Sequence, residues 1–133
     1  MAVKNTGYDV IEYVRTKEGQ RFKYGKHDCY TFIQGWALWN GLDCLPAPDY
    51  RTRFGSVRFA LRHGGSVLPA ACLDKVLVRA DEFAPGQIVA DGFVLGVTGF
   101  AGRAWFVQDS GGVLSCPIKM WNAPRWELTC LPR

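Results

Sequence analysis

The chain has 133 residues, of which 48% are hydrophobic and 21% are charged, and this composition excludes an intrinsically disordered chain. A chain of this length buries about two-thirds of the surface that its unfolded form exposes, so it forms one core without needing a metal or a disulfide. The net charge of +4 is too small by itself to indicate a nucleic-acid-binding protein.

Helical patterns fill the first half of the chain. The apolar residues of 8–14 recur at helical spacing, with Asp9 placed to cap the helix. A second helix is predicted over 29–40, because Asp28 is a good N-cap and Gly41 follows the last turn. A third is predicted over 53–63, closed by two glycines, and a short fourth over 68–73.

Short runs rich in Val, Phe and Trp follow residue 76 and are separated by Gly, Pro or Asp. They predict strands at 76–78, 87–90, 93–97, 104–108, 113–116 and 126–130. Helices followed by a meander of strands indicate an α+β fold, with the N-terminal helices covering one face of a C-terminal antiparallel sheet of five or six strands. We therefore predict a single domain over 1–133, helical over about 7–75 and strand-rich over about 76–133.

The five cysteines form no paired motif of the kind that zinc or iron–sulfur sites use. We expect all of them to be free thiols, with no metal and no cofactor. The first twenty residues carry six charged side chains, so we expect no signal peptide and no membrane span. The cysteines are Cys29, Cys44, Cys72, Cys116 and Cys130.

Cys29 is the strongest candidate for chemistry because it is the first residue of the predicted second helix. Unpaired backbone N–H groups and the positive end of the helix dipole favour a thiolate there, and they would also stabilise an oxyanion. The alternative is an inert thiol packed on the apolar face of the helix beside Phe32 and Ile33.

The segment 22–32, FKYGKHDCYTF, resembles the nucleophile motif of NlpC-like papain-fold cysteine peptidases, in which an aromatic–Gly element precedes Asp-Cys at a helix start. The segment 83–89, FAPGQIV, is similar to the family's Pro-Gly-Asp turn, with Gln87 in place of the acid, and 93–97 is similar to the strand that follows. With the glycine pair at 64–65, the pattern most resembles a small subgroup encoded among tail genes of tailed bacteriophages. The resemblance implies a papain-like, NlpC-type fold.

The chain departs from this family at the general base. The family's histidine stands two positions before the glycine of that strand, where this chain has Val94. A cysteine without an imidazole lacks the group that takes up and returns a proton. His27 and His63 are the two candidate substitutes. His27 is otherwise a loop residue bonded to nearby backbone, and His63 is otherwise a residue that caps the end of a helix. Asp109 is either a third triad member or a surface aspartate.

We therefore expect a structural or assembly component of a phage tail tip, built on a degenerate peptidase scaffold, made in the host cytoplasm and carried in the virion tail. As the resemblance implies, its partners would be tail-tip or hub proteins or further copies of itself, with peptidoglycan nearby. The alternative is an active cysteine peptidase or amidase that cleaves peptidoglycan, with Cys29 as nucleophile and His27 as base.

Aromatic and basic residues interleave over 50–62, as they do in some nucleic-acid-binding proteins. An amphipathic helix with buried Phe and solvated Arg gives the same pattern, so nucleic acid is not an expected partner. Five tryptophans exceed the needs of a modest core, so we expect Trp36 and Trp105 in the core and another to anchor a neighbouring subunit. The remaining three are Trp39, Trp121 and Trp126.

Overall fold

The computed structural model describes residues 7–120 and 122–132. It contains helices in the first half and strands in the second. The helices are α1 (Gly7–Arg15), α2 (Cys29–Trp39), α3 (Arg53–Gly64) and α4 (Pro69–Asp74). The strands are β1 (Leu77–Arg79), β2 (Ile88–Asp91), β3 (Val94–Thr98), β4 (Arg103–Val107), β5 (Val113–Pro117) and β6 (Arg125–Cys130).

The six strands form one sheet in the order β1-β6-β2-β3-β4-β5, and all its pairings are antiparallel. Strands β2 to β5 follow one another as a meander, as predicted. β6 departs from the meander, because it returns to pair with both β1 and β2. The α+β class and the six-stranded antiparallel sheet are confirmed, whereas a simple meander of all six strands is wrong.

The helix starts follow from local hydrogen bonds. Asp28 caps α2 through a capping box, in which its side chain accepts from the Thr31 N–H and the Thr31 hydroxyl accepts from the Asp28 N–H. Thr52 caps α3 through a single hydrogen bond, in which its hydroxyl oxygen accepts from the N–H of Gly55. Asp9, the predicted cap of α1, lies in the first turn of that helix, which the structure describes from Gly7.

The main core lies between the helices and one face of the sheet. Ile33 and Trp36 of α2 are fully buried there, with Ile88 of β2 and Leu95 of β3 opposite them. Burying a large apolar side chain contributes about 1.5 to 3 kcal/mol, so α2 is a major source of stability. The other face of the sheet carries a smaller cluster around Val89, which alternates with Ile88 along β2.

A disulfide corrects the prediction that every cysteine is a free thiol. Cys44, in the loop after α2, is bonded to Cys130 at the end of β6, with 6.1 Å between the two Cα atoms. The two residues are 86 positions apart in sequence, and only the folded arrangement of the loop and the last strand brings them together. Cys29, Cys72 and Cys116 are free.

The tryptophans divide between core and surface. Trp36 and Trp126 have no exposed surface, and Trp105 packs against the core while staying partly accessible. Trp39 is half exposed, so it remains the candidate for contact with a neighbouring molecule. Trp121 lies outside the described residues.

Candidate functional site

The start of α2 is held in place by the carboxylate of Asp28, which is almost completely buried. One oxygen, Oδ1, accepts a hydrogen bond from the N–H of Thr31 at 2.8 Å. The other, Oδ2, accepts from the N–H of Gly25 and from the hydroxyl of Tyr50, both at 2.8 Å. The aspartate before the candidate nucleophile therefore joins three segments: the loop before α2, the helix itself and the loop before α3.

Gly25 is needed for this arrangement. Its φ is +78°, a backbone conformation that L side chains rarely adopt, and a Cβ there would lie 1.9 Å from the carbonyl oxygen of Tyr50. The close approach of these two backbones lets the Tyr50 hydroxyl reach Asp28. The glycine of the aromatic–Gly element thus has a packing reason in this chain.

Cys29 is the first residue of α2, as predicted, and its side chain is partly buried. Burial raises the pKa of the Cys29 thiol, and the negative charge of Asp28 raises it further. Backbone hydrogen bonds from Leu95, Tyr30 and Cys29 itself act in the opposite direction and lower the pKa, because N–H groups stabilise a thiolate. Burial outweighs them, so the thiol stays protonated at neutral pH.

A cavity of about 440 Å³ opens beside Cys29. The start of α2, helices α3 and α4, the first residues of β3 and the segment that ends β4 all contribute to its wall. Most of the wall is apolar or aromatic, with Arg53 and Asp109 as the charged side chains that accompany the buried Asp28. The lining includes Cys29, Tyr50, Cys72, Val94, Phe93, Val57 and Val67.

Val94 and Asp109 both line the same cavity as Cys29. The position at which the resemblance places a histidine therefore faces the sulfur's cavity, but its side chain is an isopropyl group that cannot carry a proton. The structure therefore places Cys29, the candidate nucleophile, and Asp109, the candidate third member of a triad, at the same cavity. The position expected to carry the base is occupied there by Val94.

Neither histidine is among the residues that line the cavity. The ring of His27 is buried, and its Nε2 has no hydrogen-bond partner. Burial lowers the pKa of His27, with Lys17 adding to the effect and Asp28 opposing it. His63, at the end of α3, packs against the ring of Phe59 with 4.4 Å between the ring centroids.

The lining residues that the sequence interpretation did not place at this site include Tyr50, Arg53 and Cys72. Tyr50 was read as part of a basic–aromatic segment, and nothing in the local pattern shows that its hydroxyl bonds the aspartate before Cys29. Cys72, on α4, is a buried second thiol whose pKa is raised by burial. Their convergence depends on how α3 and α4 pack, which spacing along the chain does not reveal.

Across the described ranges 7–120 and 122–132, no group of three or more His, Cys, Asp or Glu side chains is placed to hold a metal ion. Nor does this part of the chain contain a helix with the length and apolarity needed to cross a bilayer. The cavity is thus a chamber with apolar walls, one thiol at a helix start and no proton-transferring ring. Such a chamber is suited to binding an apolar group.

Comparison with known proteins gives one match. A family model described as a domain of unknown function, DUF6950, matches residues 3–124. No curated protein and no solved structure matches the chain significantly.

Proposed function

The chain belongs to the DUF6950 family, and we propose that it is a non-catalytic structural or assembly component of a bacteriophage tail tip, built on a degenerate NlpC-like peptidase scaffold. The proposed phage setting rests on the segments around Cys29 and Gly96, which resemble an NlpC-like subgroup encoded among phage tail genes. The proposed lack of catalysis rests on the side chains that line the cavity. Its partners would be other proteins of the tail tip or hub.

One observation carries the proposal: Val94, and no imidazole, lines the cavity beside Cys29. Cleavage of an amide by a thiol requires a base to activate the sulfur and an acid to protonate the leaving amine. The side chains of Val94 and Leu95 offer neither. A cavity that is lined by apolar side chains and a cysteine, but by no imidazole, is suited to binding a partner.

The raised pKa of the sulfur supports the same conclusion. Catalytic cysteines have a lowered pKa, because a neighbouring imidazolium or helix start stabilises the thiolate. Here burial acts more strongly than the N–H groups around Cys29, and Asp28 adds a negative charge nearby. The nucleophilic form is therefore scarce at pH 7.

An active peptidase or amidase is the second candidate, and the backbone N–H groups that surround the Cys29 sulfur favour it. Donors so placed are what an oxyanion intermediate requires. Asp109 lines the cavity as well. In this alternative His27 would have to leave its buried position to act as the base.

A digestion assay separates the two candidates. Purified protein is incubated with peptidoglycan, and the release of soluble fragments is followed by chromatography and mass spectrometry. We expect no release, equal to that of Cys29→Ser. Release that Cys29→Ser abolishes would overturn the proposal. The tail-tip assignment is tested separately by mass spectrometry of virions purified from a lysate in which this gene is expressed, where we expect the protein at stoichiometric level and its absence contradicts the assignment.

Alkylation with iodoacetamide measures the state of the sulfur. Because the thiolate is the reacting form and burial raises the pKa of Cys29, we expect slow labelling at pH 7 and a rate that continues to rise with pH through the alkaline range. Peptide mapping distinguishes Cys29 from Cys116, and Cys29→Ser is the control. Fast labelling of Cys29 that is already complete at pH 6 would show an activated thiolate and contradict the proposal.

A further inference from the structure

Exposed apolar side chains line the cavity or lie beside its lining residues on α3, and their exposed fractions lie between 37% and 73%. Val57, Val67, Phe93 and Val94 line the cavity, whereas Phe54 and Leu61 lie on α3 without lining it. An exposed apolar patch beside a cavity is an interaction site more often than a randomly chosen part of the surface is. We call this surface the rim; its members are Phe54, Val57, Leu61, Val67, Phe93 and Val94.

The part of the rim on α3 forms one face of the helix. Phe54, Val57 and Leu61 follow one another at intervals of three and four residues, so their side chains lie along one side. Phe59 points the other way and is buried in the core against Tyr30 and Tyr50. One side of α3 therefore packs in the core, and a second apolar side remains exposed.

The charge next to this face is positive. The sequence of α3, RFGSVRFALRHG, contains no acidic residue. Arg62 is paired with Asp49, whereas Arg53 and Arg58 have no ion-pair partner in the described part of the chain. Arg53 lines the cavity, and the guanidinium of Arg58 lies 6.0 Å from the ring centroid of Phe54. A ligand for the rim is thus expected to carry negative charge beside apolar groups.

The concave shape decides between ligand classes. A cavity of about 440 Å³ lies within the range of about 300 to 1,000 Å³ that is typical of ligand pockets, so its volume is sufficient for one or two large side chains. A bilayer surface covers exposed side chains but leaves a chamber of this depth unfilled. A linear segment of protein fills the chamber and reaches the arginines as well.

We propose that the rim and cavity bind an acidic, linear segment of a partner protein, which inserts one or two large apolar side chains into the cavity and sets carboxylates against Arg53 and Arg58. The inference rests on the proposed function for one point, that Cys29 holds the segment without cleaving it. It adds the chemistry of the partner, which the proposed function leaves open.

The test begins with selection of random twelve-residue peptides, displayed on ribosomes, against the immobilised full-length protein. We expect the selected peptides to be rich in Asp or Glu and to contain at least one aromatic or large aliphatic residue. The best peptide is then synthesised with a fluorophore, and its Kd is measured by fluorescence anisotropy.

Matched variants locate the binding. Leu61→Glu on the rim and Leu114→Glu on β5 change leucines of 47% and 48% exposure, and Arg53→Glu is matched by Arg15→Glu at the end of α1. We expect Leu61→Glu and Arg53→Glu each to raise the Kd about tenfold or more, as changes at central interface residues do. The two control variants should change it less than about twofold, since they lie outside the proposed contact. Circular dichroism verifies that all four fold.

Each other outcome has a definite meaning. Failure to select a binder, selection of peptides without acidic residues, or a Kd unchanged by Leu61→Glu and Arg53→Glu overturns this inference and leaves the proposed function standing. Sedimentation with phosphatidylglycerol vesicles that depends on the rim, without peptide binding, assigns the surface to a membrane and also overturns it. A peptide that binds and is then cut in a Cys29-dependent way retains the docking site but overturns the proposed function.

Discussion

The carboxylate of Asp28 connects three segments of the chain beside the cavity. Its two oxygens accept three hydrogen bonds, from Gly25, Thr31 and Tyr50. The resemblance identifies the position only as the residue before the nucleophile, and N-cap propensity explains only one of the three bonds. The other two depend on Gly25, whose missing Cβ lets the backbone of Tyr50 come close. Structural demands alone thus account for an aspartate at the position before Cys29.

We predict that Asp28→Ala lowers the free energy of unfolding by about 2 to 4 kcal/mol, because it removes an N-cap and leaves the buried Tyr50 hydroxyl without an acceptor. Urea unfolding followed by circular dichroism measures the change. Asp109→Ala is the matched control, since Asp109 lines the same cavity but is exposed, and its loss should stay within about 0.5 kcal/mol. Equal losses in the two variants would contradict the structural role of Asp28.

At the scale of the elements, local patterns locate helices and strands well and arrange them poorly. The predicted 29–40 helix is found at Cys29–Trp39, because its cap and its closing glycine both act locally. Each predicted strand is found within two residues of its expected position. The position of β6 between β1 and β2 rests on pairings such as Leu77 with Cys130, which join distant parts of the chain and leave no local signal. The cavity also depends on contacts between distant parts of the chain, so no local pattern predicts it.

The attachment of α2 to the sheet rests in part on one buried hydrogen bond. The indole N–H of Trp36 donates to the carbonyl oxygen of Gly86, just before β2, at 2.8 Å. The hydroxyl of Tyr13 on α1 donates to the carbonyl oxygen of Phe32 at 2.7 Å and links the first two helices. Because Cys29 begins α2, these bonds also fix the sulfur relative to β3.

We predict that Trp36→Phe lowers the free energy of unfolding by about 2 to 4 kcal/mol, because the Gly86 carbonyl loses its buried donor and part of the indole volume is left empty. Trp39→Phe, on the exposed side of the same helix, is the matched control and should lose less than about 1 kcal/mol. Thermal unfolding followed by circular dichroism compares the two. Similar losses would show that the Gly86 bond contributes little.

For the whole molecule, the Cys44–Cys130 disulfide connects the helical half to the strand-rich half. Cys44 lies in the loop between α2 and α3, and Cys130 ends β6, which pairs with β1 and β2. An odd number of cysteines with no paired spacing favoured free thiols, and only the position of β6 reveals the bond. The domain does not need this bond to bury a core, but it closes a long loop of chain and restricts the unfolded state.

We predict that loss of the disulfide lowers the free energy of unfolding by about 4 to 5 kcal/mol, because the chain-entropy relation gives about 4.6 kcal/mol for a loop closed across 86 positions. Urea unfolding of the double variant Cys44→Ser with Cys130→Ser measures the loss, and the native chain treated with dithiothreitol should match it. Cys116→Ser is the control, because Cys116 is a free thiol and its replacement leaves the loop closed. If dithiothreitol leaves the unfolding midpoint of the native chain unchanged, the two halves are held together by packing alone. The pairing of β6 with β1 and β2 would then have to supply the stability that the prediction attributes to the disulfide.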